Sequence, residues 1–377
     1  MIEPKYFFNF LKTNGINFFS GVPDSLLKDF CAFITDNSID NSHIIAANEG
    51  NALSIGIGHY LSTSGLPLIY MQNSGLGNVI NPLLSLADPE VYSVPMILLI
   101  GWRGEPGMVD EPQHVKQGKI TADLLETMQI PYEILNPNIS DKEFDTRVKK
   151  IIDNSRQQKK PCALLVSKGT FSKYKHEKKE VFDRPLLREQ ALELIVKQLN
   201  PSDIVISTTG VASRELFEIR EKLGQGHEKD FLTVGGMGHA SQIALGIALE
   251  KEDREVFCLD GDGAFLMHMG STAINGSMKC SNFKHILFNN SAHDSVGGQP
   301  TVGNRVDFLK IANSCGYAWT KQASAEANVI NSIQELKSAK GPALLEIQIK
   351  PGFRSDLGRP TNSPEKNKNL FMNFLKN

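Results

Sequence analysis

The chain has 377 residues, of which 41% are hydrophobic, and a formal net charge of −2 at pH 7. This length is enough for two or three domains with buried cores, and the near-neutral charge excludes extensive disorder and an electrostatic hold on nucleic acid. The longest apolar run, residues 94–100, is far too short to cross a bilayer, so we expect no membrane partner. Five scattered cysteines and an N-terminus without an export signal indicate a reduced, cytoplasmic protein.

Helix-like and strand-like segments alternate from the first residues to about residue 167. Amphipathic segments that predict helices are separated by short apolar runs that predict strands. Such alternation is typical of a parallel sheet covered by helices on both faces. The predicted helices span residues 6–13, 25–35, 50–62, 76–86, 122–128 and 142–154, and the predicted strands span 17–20, 43–47, 67–72, 96–101, 132–135 and 162–167.

A polar, lysine-rich stretch interrupts this pattern, and the pattern then restarts. We interpret the stretch, which includes residues 173–180, as a solvated linker. The second series has predicted helices at 187–198, 213–222, 240–249, 266–277, 308–315 and 325–338, and predicted strands at 204–207, 231–234, 256–259, 286–288 and 343–349.

The two series predict an α/β protein with two doubly wound parallel-sheet domains and no middle domain. The last residues either close over a cleft or dock as a terminal helix. The predicted boundaries are residues 1–170 for the first domain, 171–185 for the linker, 186–350 for the second domain and 351–377 for a C-terminal tail.

One strand end in the second domain carries the most informative motif. The strand predicted at 256–259 ends in Asp-Gly-Asp-Gly, and a helix-compatible segment follows. Glycines on both sides of Asp262 let the backbone approach a ligand, and free N–H groups at a helix start suit phosphate. A later strand ends in Asn289 and Asn290. Because parallel strands joined by crossover helices end at the same edge of a sheet, Asp262 and Asn290 can meet there.

These side chains offer the hard oxygen ligands that a magnesium ion prefers. A carboxylate from Asp262 and an amide oxygen from Asn290, with diphosphate oxygens completing an octahedron, describe such a site. A surface turn and an asparagine-capped loop would account for either piece alone. The coincidence of both pieces with a strand and a helix favours the metal site.

Two strand ends of the first domain carry further candidates. Glu49 follows a strand and opens an Ala/Gly-rich helix, although an ordinary helix start capped by Asn48 would look the same. Ser25 ends the segment Gly-Val-Pro-Asp-Ser, which is equally readable as a turn and helix cap. Gln72 begins a polar, glycine-rich segment that is suited to lining a pocket.

Loops of both domains add groups that can bind anions. The long loop after residue 101 contains Arg103 and His114, and long loops at sheet ends are often functional. In the second domain a strand end and helix start contain Thr209, Gly210 and Ser213, which is a geometry suited to a diphosphate. The segment Gly235-Gly236-Met237-Gly238 places one bulky residue among glycines, for which simple glycine packing is the alternative.

The spacing from Gly-Asp-Gly to Asn-Asn resembles the signature of the thiamine-diphosphate (ThDP) enzymes, and the Gly-x-Pro loop at 21–23 resembles that of their 2-oxoacid decarboxylases. The resemblance implies that Mg²⁺ is held by Asp262, Asn290 and the backbone oxygen of Ala292. It implies that Glu49 lies against N1′ of the aminopyrimidine and that Met237 supports the bent cofactor. The implied cofactor-binding residues are Glu49, Gln72, Thr209, Gly210, Ser213, Gly235, Met237, Gly261, Asp262, Gly263, Ala264 and Asn290.

The lack of a middle domain resembles a compact branch of this family whose 2-oxoacid substrates carry a phosphonate or a sulfonate. Further segments that carry this resemblance include 101–104, 110–114, 213–216, 297–301 and 354–360. We expect decarboxylation of the phosphonate-bearing acid in phosphonate biosynthesis. Alternatives are the sulfonate-bearing acid, carbon–carbon bond formation, a noncatalytic ThDP-binding subunit and a plain nucleotide-binding protein.

The resemblance also implies roles for polar and basic side chains. His293 stands where many relatives have a tyrosine. For each basic residue taken singly, a solvated surface charge is the alternative. Implied catalytic residues are Glu49, Ser25, His114 and His293, and candidates for binding the substrate are Arg103, His239, Arg354 and Arg359. Glu49 and Asp262 lie in different halves but must contact one cofactor. The resemblance implies that the partner half comes from another subunit, so we expect a homodimer or a dimer of dimers with the active site at the subunit interface.

Overall fold

The computed structural model describes residues 1–39, 41–177 and 182–376. The chain forms two compact units, Met1–Glu180 and Val181–Asn377. Each unit contains one six-stranded parallel sheet with helices on both faces. This architecture confirms the predicted α/β class with two sheet domains and no middle domain. None of the helices in the described residues is long and apolar enough to span a bilayer.

Unit 1 follows the predicted alternation. Its sheet has the strand order β2-β1-β3-β4-β6-β5. Its elements are α1 (Pro4–Thr13), β1 (Phe18–Gly21), α2 (Lys28–Asn37), β2 (His43–Ile45), α3 (Glu49–Thr63), β3 (Pro67–Gln72), α4 (Leu76–Pro82), β4 (Met96–Gly101), α5 (Pro112–Thr127), β5 (Tyr132–Leu135), α6 (Asp141–Gln158) and β6 (Pro161–Val166).

The central strand β4 shows why this sheet needs helices on both sides. Every residue of β4 is buried. Ile97 and Leu99 pack into one hydrophobic cluster, whereas Met96, Leu98 and Ile100 pack into another. Successive side chains of a strand point to opposite faces, so a strand that is apolar throughout requires a core on each face.

Unit 2 repeats this architecture with the strand order β13-β14-β10-β9-β7-β8. A small antiparallel hairpin, β11 with β12, follows β10. Its elements are α7 (Arg188–Val196), β7 (Ile204–Ser207), α8 (Val211–Lys222), β8 (Asp230–Leu232), α9 (Ala240–Glu250), β9 (Val256–Gly261), α10 (Asp262–Met267), α11 (Ser271–Met278), β10 (Phe283–Asn289), β11 (Ala292–His293), β12 (Gln299–Pro300), α12 (Phe308–Ser314), β13 (Trp319–Ala323), α13 (Glu326–Ser338), β14 (Ala343–Gln348) and α14 (Pro364–Lys376).

Two predicted helices differ markedly from the structure, and the edge strand β13 was not predicted. The single helix predicted at 266–277 is two helices, because the backbone leaves the helical region at His268 and α11 restarts after Gly270. Helix α5 begins ten residues earlier than predicted, at Pro112, with its polar first half and Gly118 concealing the pattern. Strand β13 was not predicted, because it is a half-exposed edge strand without an apolar run.

The described parts of the predicted linker pack against their own units. The hydroxyl of Tyr174 donates to Asp36, and Nδ1 of His176 lies 2.6 Å from Oδ1 of the same carboxylate. In unit 2, the buried Arg184 donates to the backbone oxygen of Asn289. The expectation of a solvated stretch is therefore wrong for Tyr174 and His176. Residues 178–181 lie outside the described residues.

The C-terminal tail docks as a helix on unit 2, which is one of the two outcomes considered. Phe371 packs into the hydrophobic cluster on one face of the sheet. The Asn367 side chain, only 6% exposed, donates to the Asp230 carbonyl at 2.8 Å and accepts from the Leu232 N–H at 3.1 Å. Both partners belong to the edge strand β8, so α14 is hydrogen-bonded to the sheet.

We predict that Asn367→Ala lowers the free energy of unfolding by about 1–3 kcal/mol, because the buried Asp230 carbonyl and Leu232 N–H lose their partner. Asn369→Ala on the same helix is the matched control, because Asn369 is exposed. Urea denaturation of both variants measures the difference. Equal stability of the two variants would contradict the docking of α14 through Asn367.

Candidate active site

Glu49 is a buried carboxylate at the start of α3 in unit 1. It is 5% exposed, and it is the first helical residue after the N-cap Asn48, whose side chain accepts from the Asn51 N–H. Its Oε2 accepts a 2.6 Å hydrogen bond from the amide of Asn78. The helix dipole favours a negative charge at this end. Glu49 is thus held in one orientation while its other oxygen, Oε1, lies beside Gly75.

Gly75 packs directly against this carboxylate. A Cβ atom at residue 75 would lie 2.5 Å from Oε1 of Glu49 and 2.6 Å from its Cδ. Distances this short are incompatible with a real side chain, so any residue larger than glycine would move Glu49. The tight fit shows that the position of this carboxylate depends on a glycine at residue 75.

Ser25 and Arg103 are brought together by unit 1. The Arg103 Nη1 donates to Ser25 Oγ at 2.8 Å, and its Nε and Nη2 form a bidentate pair with Asp110. Burial raises the pKa of Asp110, but the hydrogen bonds and charge of Arg103 outweigh this and lower the pKa below its ordinary value. The Arg103 guanidinium is therefore paired with a carboxylate, and the Ser25 hydroxyl accepts from it and keeps its own proton to donate.

A second buried carboxylate, Asp24, lies beneath Ser25. It accepts from the Leu26 N–H at 2.7 Å and from Nε2 of Gln72 at 2.6 Å. Burial raises its pKa above the ordinary value, and the hydrogen bonds and Arg103 act in the opposite direction. A Cβ atom at Gly101 would lie 2.2 Å from Oδ2 of Asp24. By donating to Asp24, Gln72 therefore stabilises the turn that contains Ser25.

His114 lies at the start of α5, and its imidazole is buried. Burial, together with the nearby Arg103 charge, lowers the pKa of His114 to about 4. The ring is neutral at pH 7. Its Nδ1 is buried, and no described residue hydrogen-bonds to it. A neutral imidazole with an unpaired nitrogen can accept or donate a proton, but it adds no positive charge.

Asp262 and Asn290 meet at the carboxyl ends of β9 and β10 in unit 2. The Asp262 carboxylate, 2% exposed, accepts hydrogen bonds from the Thr301 hydroxyl and from the backbone N–H groups of Gly263 and Asn290. Burial raises the pKa of Asp262 to about 7, and the hydrogen bonds act against this rise. No basic side chain among the described residues forms a salt bridge with Asp262, although the Arg184 guanidinium interacts with it electrostatically.

The remaining predicted metal residues surround this carboxylate. Asn290 donates its amide N–H to Asp294 at 2.7 Å, and its Oδ1 accepts from the Ala292 N–H at 3.1 Å. A buried carboxylate beside an oriented amide oxygen and a backbone segment fits the hard ligand set of Mg²⁺. Asp262, Asn290 and Ala292 would hold the ion.

Gly263 lies where Met237 and His293 converge. A Cβ atom at residue 263 would lie 3.0 Å from Cε1 of His293 and 3.3 Å from Cε of Met237, whereas one at Gly261 would meet nothing within 4 Å. Burial lowers the pKa of His293 to about 4, so this ring is also neutral at pH 7. The two glycines leave a cradle at the start of α10 that a larger residue would fill.

The other predicted phosphate-binding residues also lie at strand ends of unit 2. Gly210 caps α8 with a φ of +93°, a conformation that favours glycine. The Ser213 hydroxyl, however, donates to the Thr208 carbonyl at 2.8 Å and so stabilises the loop itself. Thr209 and Gly235 are half-buried in the segments that follow β7 and β8, and Ala264 is buried in the first turn of α10.

The basic residues predicted to bind substrate are mostly engaged elsewhere. Arg354 pairs with Glu189 and Glu218, and it lies 3.3 Å from Asp356. His239 is exposed, and its ring stacks on that of His268 with centroids 4.4 Å apart. Arg359 is exposed on the segment between β14 and α14. His239, Arg354 and Arg359 all belong to unit 2, whereas Ser25 and Arg103 belong to unit 1.

Several site residues were not assigned by sequence reasoning. Thr301 and Asp294 belong to unit 2, and Asn78, Asp110 and Asp24 to unit 1. The segments 110–114 and 297–301 carried the resemblance, but nothing in them indicated which residue would face which partner. Only the folded loops reveal that Thr301 reaches back to Asp262.

A second polar cluster lies in the core beside β9 and β10. Ligand atoms of Cys258, Asp260 and His285 lie within 4.8 Å of one another, and all three residues are buried. The Tyr317 hydroxyl accepts from the Asn275 amide at 3.3 Å and lies 3.2 Å from Nδ1 of His285. Nε2 of His285 faces Oδ2 of Asp260 at 3.5 Å and has no hydrogen-bond partner among the described residues. The cluster was not predicted from the sequence.

A polar cavity of about 780 Å³ lies at a different place in unit 2, beside β13 and β14. Its lining includes Arg184, Gln322 and Glu346. It adjoins the Asp262 site at Gly303, where a Cβ atom would lie 2.5 Å from Oδ2 of Asp262. Arg184, which also lines the cavity, donates to the Asn289 carbonyl beside the same site.

Comparison with known protein families assigns both units to one class. The N-terminal TPP binding domain of the thiamine pyrophosphate enzymes matches residues 4–126, and the C-terminal TPP binding domain matches residues 219–347. The first match contains Glu49, and the second contains Asp262 and Asn290. Together with the fold and the two carboxylate sites, these matches define an enzyme that uses thiamine diphosphate.

Full-length relatives narrow the class. The chain is 31% identical to phosphonopyruvate decarboxylase from Streptomyces hygroscopicus over 96% of this chain and 90% of that protein. It is 31% identical to phosphonopyruvate decarboxylase from Streptomyces viridochromogenes over 96% of this chain and 92% of that protein. The chain is 26% identical to sulfopyruvate decarboxylase from Methanosarcina acetivorans over 95% of this chain and 94% of that protein. The chain belongs to this family of ThDP-dependent 2-oxoacid decarboxylases.

We predict that Gly75→Ala lowers decarboxylase turnover at least about tenfold, because overpacking against Glu49 costs about 1–3 kcal/mol and displaces the carboxylate. Gly77→Ala is the matched control, because a Cβ atom at residue 77 meets nothing within 4 Å. Carbon dioxide release and the melting temperature are measured for both variants. If both variants retain full turnover, Glu49 does not depend on the contact with Gly75.

Proposed function

We propose that this enzyme decarboxylates 3-phosphonopyruvate to phosphonoacetaldehyde and CO₂, as a step of phosphonate biosynthesis in the cytoplasm. The observation that carries the proposal is the 31% identity to two phosphonopyruvate decarboxylases over nearly the whole of both chains. The sulfopyruvate enzyme aligns over a similar length with lower identity, 26%, and it defines the alternative substrate.

The proposal assigns Mg²⁺ to Asp262, Asn290 and the backbone oxygen of Ala292. Its support is the buried Asp262 carboxylate, which forms no salt bridge with any described residue and whose pKa burial raises to about 7. A divalent cation would supply the missing positive charge. The diphosphate would then lie over the cradle at Gly261 and Gly263.

Glu49 is proposed as the proton-exchanging carboxylate at N1′ of the cofactor. ThDP, when bound, supplies an electron sink for the pair released as CO₂ leaves. The contribution of the protein is to hold Glu49 by the Asn78 amide and by Gly75 in a dry position, where one oxygen remains available for a proton. Met237 and His293, packed at Gly263, would support the rings of the cofactor.

Ser25, Arg103 and His114 are proposed to face the substrate in unit 1. The Ser25 hydroxyl accepts from Arg103 and has a proton to donate to a substrate oxygen. His114 is neutral at pH 7, so it would act as a hydrogen-bonding or proton-transferring group. Arg103 is neutralised by Asp110, and the phosphonate must therefore share this guanidinium or be held by other cations, for which His239, Arg354 and Arg359 remain candidates.

The substrate assignment is tested by comparing CO₂ release from 3-phosphonopyruvate, sulfopyruvate and pyruvate with the ThDP- and Mg²⁺-saturated enzyme. We expect kcat/KM to be highest for phosphonopyruvate and lowest for pyruvate, because pyruvate has no second anionic group to bind. Faster turnover of sulfopyruvate would replace the proposed substrate with the sulfonate. Absence of CO₂ release from all three, with ThDP bound, would favour a noncatalytic subunit.

The roles of Glu49 and Asp262 are separated by their different readouts. We expect Glu49→Gln to bind ThDP nearly as the wild type does but to lose turnover, since proton exchange at N1′ stops while packing is kept. Asp262→Asn should instead lose the Mg²⁺ dependence of ThDP binding. Calorimetric titration with ThDP and assay of CO₂ release distinguish the two variants. Full turnover of Glu49→Gln would refute its assignment.

The same variants test the proposed homodimer or dimer of dimers. Glu49 and Asp262 lie in different units of the chain. If each active site uses Glu49 of one subunit and Asp262 of another, refolding the two inactive variants together should recover activity. Each variant refolded alone serves as the control. Failure of the mixture to recover activity, with mixed oligomers demonstrated by mass spectrometry, would place both residues of each site in the same subunit.

A further inference from the structure

The Asn290 side chain is oriented by the carboxylate of Asp294, which was not among the predicted site residues. An asparagine amide has an oxygen at one end and an N–H donor at the other, and hydrogen-bond partners decide which way it points. The NH₂ group of Asn290 donates to Oδ2 of Asp294 at 2.7 Å, and its Oδ1 accepts from the Ala292 N–H at 3.1 Å. Rotating the amide by half a turn would face an oxygen to the carboxylate and an N–H to an N–H. Asp294 therefore selects one orientation.

Asp294 is itself held from two further directions. Both of its oxygens accept from the Gly352 N–H at 3.0 Å, and Nη1 of Arg188 lies 3.4 Å from Oδ2. Arg188 is anchored by Glu215, with Nε donating to Oε2 at 2.8 Å. The side chains of Asp294, Arg188 and Glu215 are 7%, 9% and 1% exposed. The direct contacts with Gly352 and Arg188 keep the Asp294 carboxylate from turning away from Asn290.

We propose that Asp294 is a positioning residue for the metal site: it orients the Asn290 amide so that the oxygen, and not the NH₂ group, is available to Mg²⁺. The inference rests on the proposed role of Asn290 as a magnesium ligand. Hydrogen-bond partners of metal ligands commonly change metal affinity about 10–100-fold when they are removed. Asp294 acts through Asn290 and does not contact the cation itself.

The test is the dissociation constant of Mg²⁺, measured by calorimetry at saturating ThDP. Asp294→Asn should weaken Mg²⁺ binding about 10–100-fold, because the new amide can present its oxygen or its NH₂ to Asn290, and only the 3.1 Å contact with the Ala292 N–H still favours one orientation. The variant is expected to fold, since Arg188 and Glu215 remain as a neutral pair. If Asp294→Asn does not fold, Asp294→Ser is the second variant. It also removes the carboxylate, and it should raise the Mg²⁺ dissociation constant as well.

Glu215→Gln is the matched control. It makes the same carboxylate-to-amide change in the same buried network, shares the partner Arg188, and does not touch Asn290. We expect its Mg²⁺ dissociation constant to stay close to the wild-type value, although its melting temperature falls. Equal weakening by Glu215→Gln and Asp294→Asn would show a general loss of structure and would overturn the proposal.

Exchanging the two groups provides a rescue. In the double variant Asn290→Asp with Asp294→Asn, residue 290 has acceptors at both ends, and residue 294 can donate to it. Mg²⁺ affinity should therefore return towards the wild-type value. Asp294→Asn with unchanged affinity, or a double variant no better than Asp294→Asn, would contradict the inference.

Asn290→Ala separates this inference from the proposed function. If Asn290→Ala leaves the Mg²⁺ dissociation constant unchanged, Asn290 is not a ligand, and the proposed metal site fails together with the role of Asp294. If Asn290→Ala weakens Mg²⁺ binding but Asp294→Asn does not, the metal site stands and only the positioning role fails.

Discussion

Each unit depends on burying one carboxylate at the first residue of a helix that follows a parallel strand. Glu49 begins α3 and is 5% exposed, and Asp262 begins α10 and is 2% exposed. The helix dipole favours the charge, but burial disfavours it. In both units a glycine from a neighbouring loop packs against the carboxylate, Gly75 in unit 1 and Gly303 in unit 2, each so closely that a Cβ atom would lie 2.5 Å from an oxygen.

This shared arrangement has different consequences in the two units. Glu49 accepts one hydrogen bond from the Asn78 amide, whereas Asp262 accepts several hydrogen bonds and forms no salt bridge with a described residue. These surroundings are compatible with the roles proposed above, proton exchange for Glu49 and metal binding for Asp262.

The sequence predicted the parts of the fold that periodicity controls. The apolar runs of β4 and β9 are buried on both faces, so their strands and the α/β class were evident before the structure. Strand β13 was missed because its residues are half-exposed at the sheet edge, and the break between α10 and α11 was missed because a single histidine–glycine interruption hardly changes helical periodicity. Local pattern does not encode these features, which depend on neighbouring elements.

The sequence predicted which strand ends carry the site residues, but it did not predict the hydrogen bonds and ion pairs that these residues form. The motif spacing placed Asp262 and Asn290 at one edge, and the structure has the Asn290 N–H donating to that carboxylate. The sequence did not indicate that Arg103 and Arg354 would be covered by acidic side chains, because Asp110 is close in sequence without any pattern and Glu189 and Glu218 lie far from residue 354. Counting basic residues therefore overestimated the positive charge available to an anionic substrate.

The hydrogen bonds between Asn367 and β8 have a consequence for the behaviour of the whole molecule. The side-chain amide imitates a peptide group, occupying one carbonyl and one N–H at the outer edge of the sheet. An exposed strand edge is a template on which a foreign strand can add, and such addition leads to aggregation. The terminal helix thus covers the β8 edge of the unit 2 sheet and blocks the addition of another strand there.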